Sequence, residues 1–204
     1  MRKTLAALLL AGSLLGAQEP KGWKPLWNGK DLAGWETVGK TEGKWIVEQE
    51  TLVCTGGGSG WLSTKEEYGD FELELEFNVS VGGNSGVYIR APREGRISEV
   101  GMEIQILDDD APIHKDIKPY QHTASIYGVV APSKAAQKKA GEWNSLAIRC
   151  KGNQVTVTLN GEKVVDADMS AYEKLARRPR KGYIGLQNHG TRCEFRGLKL
   201  REPD

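Results

Sequence analysis

Glu103, Gln105 and Asp108 fall within the stretch Gly101 to Asp110, GMEIQILDDD, and together supply two carboxylates and an amide. Proton transfer at a sugar calls for this set of an acid, a donor and an acceptor. Met102, Ile104 and Ile106 alternate with Glu103 and Gln105, so the stretch reads as a strand with three apolar side chains inside and a polar pair outside. A wet outer face and a working cleft both produce that alternation, and the stretch alone does not separate them.

Three more segments repeat the arrangement. In Asn84 to Arg90, NSGVYIR, Val87 and Ile89 are expected inside, which sends Asn84, Tyr88 and Arg90 outward. Ser125 to Val130 is expected to return as a strand with Ile126 inside and Ser125 and Tyr127 outside. In Tyr183 to Arg192, YIGLQNHGTR, Ile184 and Leu186 point in while Gln187 and His189 point out. Ordinary solvated faces are dominated by Lys, Glu, Thr and Ser. Amides, phenols, one Arg, one Glu and one His instead bond to hydroxyls and stack on rings. Glu103 with His189 can also move protons. A bulge in any of these strands would reverse its parity.

The elements that must hold these residues are short strands. Asp70 to Val79, DFELELEFNV, alternates throughout, with Glu72, Glu74 and Glu76 read as a solvated face. Lys44 to Cys54 suggests two strands about a turn near Gln49, and Asn160-Gly161 marks a hairpin between Gln154 to Leu159 and Lys163 to Val165. Asn144 to Cys150 and Cys193 to Leu200 complete the set, and Ser133 to Ala140 is the one expected helix. Trp23, Trp27 and Trp35 read as core plugs. The glycine loop TGGGSG lacks the Lys and following helix of a phosphate cradle, and Asp108-Asp109-Asp110 lacks the alternating ligands and Gly of a helix-loop-helix calcium site. At least nine strands with hardly any helix predict an all-β sandwich of the jelly-roll kind, with a curved sheet as the place for a ligand.

The first residues, MRKTLAALLLAGSLLGAQ, have the basic start, short apolar run and small residues of a secretory leader, with cleavage expected after Ala17. That leaves 18–204 as one domain, periplasmic or secreted, with no run long enough to span a membrane. The formal charge is +1, and losing Arg2 and Lys3 with the leader makes it −1, so nothing marks nucleic acid as a partner. Cys54, Cys150 and Cys193 are read as buried small hydrophobes; one disulfide with one spare thiol is the alternative.

The segments LWNGKDLAGW, YGDFELELEF, GGNSGVYIR, MEIQILDD, SIYGVVAP, GEWN, GYIGLQNHG and EFRGLKL resemble, in order, the 3-keto-disaccharide hydrolase domain family. The resemblance implies a concanavalin A-like jelly roll of two antiparallel sheets with a concave ligand face, and a secreted enzyme acting on 3-keto-glycosides. Its motifs pass through Asn84 and Arg90 (NSGxxxR), Glu103, Gln105 and Asp108 (ExQxxD), Tyr127 (IYG) and His189 (LQNHG). EFRGL departs from the usual FRNI, with Gly197 in place of Asn, away from the cleft residues. A ketone at C3 acidifies the C2 hydrogen, and loss of that proton expels the group on C1. Under this reading Glu103 and His189 share the base and acid roles, while Arg90 and Gln105 donate to the enolate. A divalent cation can stand in for Arg90 in stabilising the enolate, although the sequence shows no paired metal-ligand spacing. Asn84, Tyr88, Gln105, Asp108, Tyr127 and Gln187 are expected to bind the carbohydrate. Two other readings use the same residues: a retaining glycoside hydrolase of laminarinase type, whose ExDxxE motif the spacing resembles, and a carbohydrate-binding module without turnover. Oligomeric state stays open.

Overall fold

The structure, a computed structural model, describes residues 22–42 and 44–203. The expected leader over residues 1–17 lies outside the described residues. The strands in chain order are β1 (Lys24–Pro25), β2 (Trp35–Lys40), β3 (Trp45–Glu48), β4 (Thr51–Cys54), β5 (Ser59–Tyr68), β6 (Phe71–Val79) and β7 (Asn84–Ala91). A single-turn helix α1 (Ile97–Val100) precedes β8 (Met102–Leu107), followed by β9 (Asn144–Lys151), β10 (Gln154–Leu159) and β11 (Glu162–Asp168). A second short helix, α2 (Glu173–Ala176), leads into β12 (Gly182–Asn188) and β13 (Cys193–Arg201).

Two antiparallel sheets result. The larger runs β11-β10-β9-β6-β13-β4-β3 with β1 beside β13, and the smaller runs β2-β5-β12-β7-β8. Phe71, Leu73, Leu75, Phe77 and Val79 of β6 meet Val87, Ile89, Met102, Ile104, Ile106, Ile184 and Leu186 of the smaller sheet in one apolar core. Each such buried side chain stabilises by about 1.5–3 kcal/mol, which is what pins the register. Outside, Glu72, Glu74 and Glu76 pair with Arg149 and Arg201, Lys199, and Arg196 of the neighbouring strands, the solvated face read from the sequence. Trp27 and Trp35 are buried, whereas Trp23 is half-buried beneath Lys199 and Arg201 on the outer face. The three cysteines are free and buried.

Three local expectations change. Residues 133–140 form no helix, because an eight-residue segment cannot hold one unaided and distant partners take its polar groups. Ser133 N–H donates to Val164 O at 2.7 Å, and Lys138 N–H to Asn144 Oδ1 at 2.8 Å. Residues 125–130 are not a strand: Ile126 bridges Ile104 and Val130 in isolation, and Ala124 has φ +68°. This segment covers the outer edge of β8, donating Tyr127 N–H to Glu103 O at 2.9 Å. Finally, β5 begins inside the glycine loop and carries Trp61 into the smaller sheet.

Candidate active site

Cross-strand register assembles the site on the face of the smaller sheet turned away from the core. Tyr88 pairs with Glu103 and Gly86 with Gln105 between β7 and β8. Gly185 pairs with Tyr88 between β12 and β7, and Gln187 pairs with Trp61 between β12 and β5. Residues directly opposite in an antiparallel pair share a face, so four strands present Trp61, Gln187, Tyr88, Glu103 and Gln105 together.

Two glycines make room for them. A Cβ on Gly185 would fall 2.0 Å from Trp61 Cε3, so the indole lies where a side chain would otherwise stand. At Gly86 a Cβ would reach 3.0 Å from both Cγ and Oε1 of Glu103. Trp61 then meets Tyr88 edge-on, 5.5 Å between centroids at 77°, and with Ala91 and Ile97 forms an apolar cluster separate from the main core. An indole beside polar groups suits a sugar ring, which has an apolar face and hydroxyl edges.

One amide organises the polar centre. Gln187 Nε2 donates to Tyr88 Oη at 2.8 Å and to Glu103 Oε1 at 2.9 Å. With the Gln105 amide turned to satisfy its surroundings, its nitrogen donates to Glu103 Oε1 at 3.2 Å and Ser85 O at 3.0 Å. Among the described residues no donor meets Glu103 Oε2. Burial raises the Glu103 carboxyl to a pKa of about 7, against the smaller lowering effects of the Gln187 bond and the Arg96 charge. The Tyr88 hydroxyl is also raised, by burial and then by Glu103, so it stays a proton donor at neutral pH. Since its oxygen accepts from Gln187, its own hydrogen is left for another acceptor.

A depression of about 700 Å³ opens beside this centre, lined by Trp61, Tyr88, Arg93, Arg96, Gln187 and His189, and the lining Gln187 carries the bond to Glu103. That volume falls in the range of sites for sugar-sized ligands. Arg93 is braced by Glu36 and stacks 4.0 Å over Tyr183. Arg96, by contrast, holds only an exposed pair with Glu99 at 2.9 Å, a weak restraint. His189 follows the end of β12 and is exposed at the rim.

Arg90 is absent from this assembly. Its φ of +47° and a register shift in the β7–β12 pairing mark a bulge that reverses parity, so the side chain turns inward. It is 0% exposed, with Nε bonded to Gly69 O, Nη1 to Gly152 O and Nη2 to Asp70 Oδ1, at 2.8, 2.8 and 2.9 Å. Asp108 likewise serves the backbone: its Oδ2 accepts from Gly82 N–H at 2.8 Å, closing the turn before β7. Tyr127 accepts from Gln121 Nε2 at 3.0 Å and lines a neighbouring cavity instead. Asn84 sits half-buried at the start of β7, with its N–H bonded to Thr191 Oγ1 at 2.8 Å. Ser125 is fully buried with an unpartnered Oγ. Among the described residues no three His, Cys, Asp or Glu side chains are grouped to hold a metal ion.

Sequence reading missed Trp61, Arg96 and the two glycines. The alternation of Trp61 and Ser63 about Leu62 is a weak signal for β5, hidden by the preceding glycines. Residues 92–96 carry no periodicity at all.

A jelly-roll sandwich with a titratable, aromatic-walled depression on its smaller sheet defines a concanavalin-like protein with a candidate ligand site. The chain belongs to the family described as the 3-keto-alpha-glucoside-1,2-lyase-like domain, which matches residues 22–201. It is similar to a 3-keto-disaccharide hydrolase of Bacteroides thetaiotaomicron, 26% identical over a gapped alignment of 231 positions that spans 90% of this chain and 79% of that protein. A crystal structure of a candidate glycosyl hydrolase from Parabacteroides distasonis is 33% identical, with a TM-score of 0.79, covering 89% of this chain and 99% of that one. A galectin-like protein from Bacillus subtilis, 13% identical with a TM-score of 0.65 over 88% of this chain and 94% of that one, shares the fold alone.

Proposed function

We propose that this protein is an exported carbohydrate-active enzyme that cleaves 3-keto-glycosides by abstracting the C2 proton and eliminating the group on C1, with or without later addition of water. The observation that carries this reading is the buried Glu103 carboxyl, raised to about 7 and held with Tyr88 by a single Gln187 amide. A general base poised near neutral pH is what abstraction beside a carbonyl requires. The family membership and the B. thetaiotaomicron relative support the substrate class. The N-terminal stretch supports export.

In the proposed reaction the sugar ring packs on Trp61. Oε2 of Glu103 takes the C2 proton while Gln187 and Gln105 hold Oε1. Charge then develops on the C3 oxygen, where Tyr88 O–H donates and Arg96 supplies the cation once expected from Arg90. The C1–O bond breaks as the C1–C2 double bond forms, and His189 gives its proton to the leaving oxygen. Water adding at C1 converts elimination into net hydrolysis.

The retaining glycosidase reading needs a second carboxylate about 5 Å from the first across the scissile bond. Asp108, the residue the motif offers, is engaged with Gly82 instead. Incubation with a glucoside and its 3-keto derivative tests the proposal: only the keto sugar should be cleaved, with an enone absorbing in the ultraviolet as the first product. Cleavage of the plain glucoside would restore the retaining mechanism, and binding of either sugar without turnover would leave a binding module.

A further inference from the structure

Beyond Arg96 lies a second cavity, of about 620 Å³, lined by Arg96, Tyr127, Lys174, Arg177 and Arg178. Against these four cations stand Glu99 and Glu173, so the lining is net positive. The sequence cluster Arg177, Arg178, Arg180 and Lys181 reads as a solvated basic rim, but the structure separates its members. Arg180 donates to Arg178 O and Asn153 Oδ1, and Lys181 lies 3.9 Å from Glu67. Arg177 and Lys174 have no side-chain partner among the described residues. Arg178 is only 7% exposed; its Nε donates to Lys174 O and its Nη1 to Gly101 O at 2.9 and 2.7 Å. Its Nη2 has no hydrogen-bond partner among the described residues, and Arg178 lines the cavity. A guanidinium held in place by two backbone carbonyls keeps its remaining N–H groups as fixed donors for an anion.

The cavity adjoins the candidate active site by two links. Arg96 lines both hollows, and Tyr127, on the wall of the second, donates its backbone N–H to Glu103 O at 2.9 Å. A substrate seated over Glu103 with its leaving group extending past Arg96 would therefore bring that group between Tyr127 and three cations.

We propose that this second cavity is the leaving-group subsite and that it selects a leaving group bearing a carboxylate. The remaining Nη2 of Arg178 and the free head of Arg177 can each donate to a carboxylate oxygen, and Tyr127 offers a ring face for the carrier. The inference rests on the reading of Glu103 as the base in the adjoining depression.

Calorimetric titration of the Glu103→Gln protein with the 3-keto-glucosides of 4-hydroxybenzoate and of 4-hydroxybenzamide tests it without turnover. The carboxylate should bind about tenfold or more tightly than the carboxamide. In Glu103→Gln carrying Lys174→Ala and Arg177→Ala, which keeps Arg178, the ratio should fall at least about threefold. Equal affinities in Glu103→Gln, a preference unchanged by the added substitutions, or no measurable binding of the carboxylate would each overturn the subsite. Wild-type protein that cleaves neither glycoside while the preference persists would instead overturn the elimination reaction and leave the subsite standing.

Discussion

Glu103 joins two demands that pull in opposite directions. A carboxyl raised to about 7 from an ordinary 4.5 is a strong base once ionised, yet the folded protein must bury that charge. Between these two values the folded state binds the proton more tightly than the unfolded state does. The stabilising contribution of the protonated group is therefore complete below about 4.5 and is lost as pH rises through 7, a change on the order of 3 kcal/mol. Two outcomes follow at this scale. Values of kcat/KM should climb through a limb near pH 7, and Glu103→Gln should lose at least about 10³-fold in turnover while melting higher than the parent at pH 8 but not at pH 4. Tyr88→Phe should cost about 10²-fold in kcat with KM little changed, since in the proposed reaction it removes a donor used as enolate charge appears. Steady-state rates and melting curves across pH read both.

Among the elements, β7 decides the most. Its bulge places Tyr88 on the ligand face and Arg90 two residues later on the inner side, within a cage of carbonyls and Asp70. Arg90→Met should thus lower stability by about 3–5 kcal/mol in denaturant titration, while the surviving folded protein keeps its kcat. A large fall in kcat at unchanged stability would put Arg90 back in the chemistry. On β12 the constraint is space. Gly185→Ala forces a methyl group against the Trp61 ring and should cost about 1–3 kcal/mol while raising KM, because in the proposed reaction the indole is the floor for the sugar. Ring and glycine act as one unit drawn from two paired strands.

At the scale of the whole molecule, both sheets supply the core, the larger adds an ion-paired outer surface, and the smaller carries the candidate site. All three thiols lie inside this sandwich, with the proton affinities of Cys54, Cys150 and Cys193 raised by burial, Cys150 to about 12. A thiol-specific reagent should accordingly find none in the native protein and three after denaturation. A prompt native reaction would mean that the sandwich opens or packs differently.

Strand content, the core set and the outward parity of Glu103, Gln105, Tyr88 and Gln187 were all legible in the amino-acid sequence, because alternation along a strand is local and the buried face must be apolar. Hairpin turns such as Asn160-Gly161 were legible for the same reason: their left-handed backbone selects their residues. Tertiary structure alone decided that Arg90 turns inward, that Asp108 ties a turn and that Tyr127 faces the second cavity. It also brought in Trp61, which its alternation with Ser63 marked only weakly, and Arg96, which no local pattern marked. Bulges and strand neighbours depend on register between segments far apart in the chain, and one residue of shift moves a side chain from ligand to core.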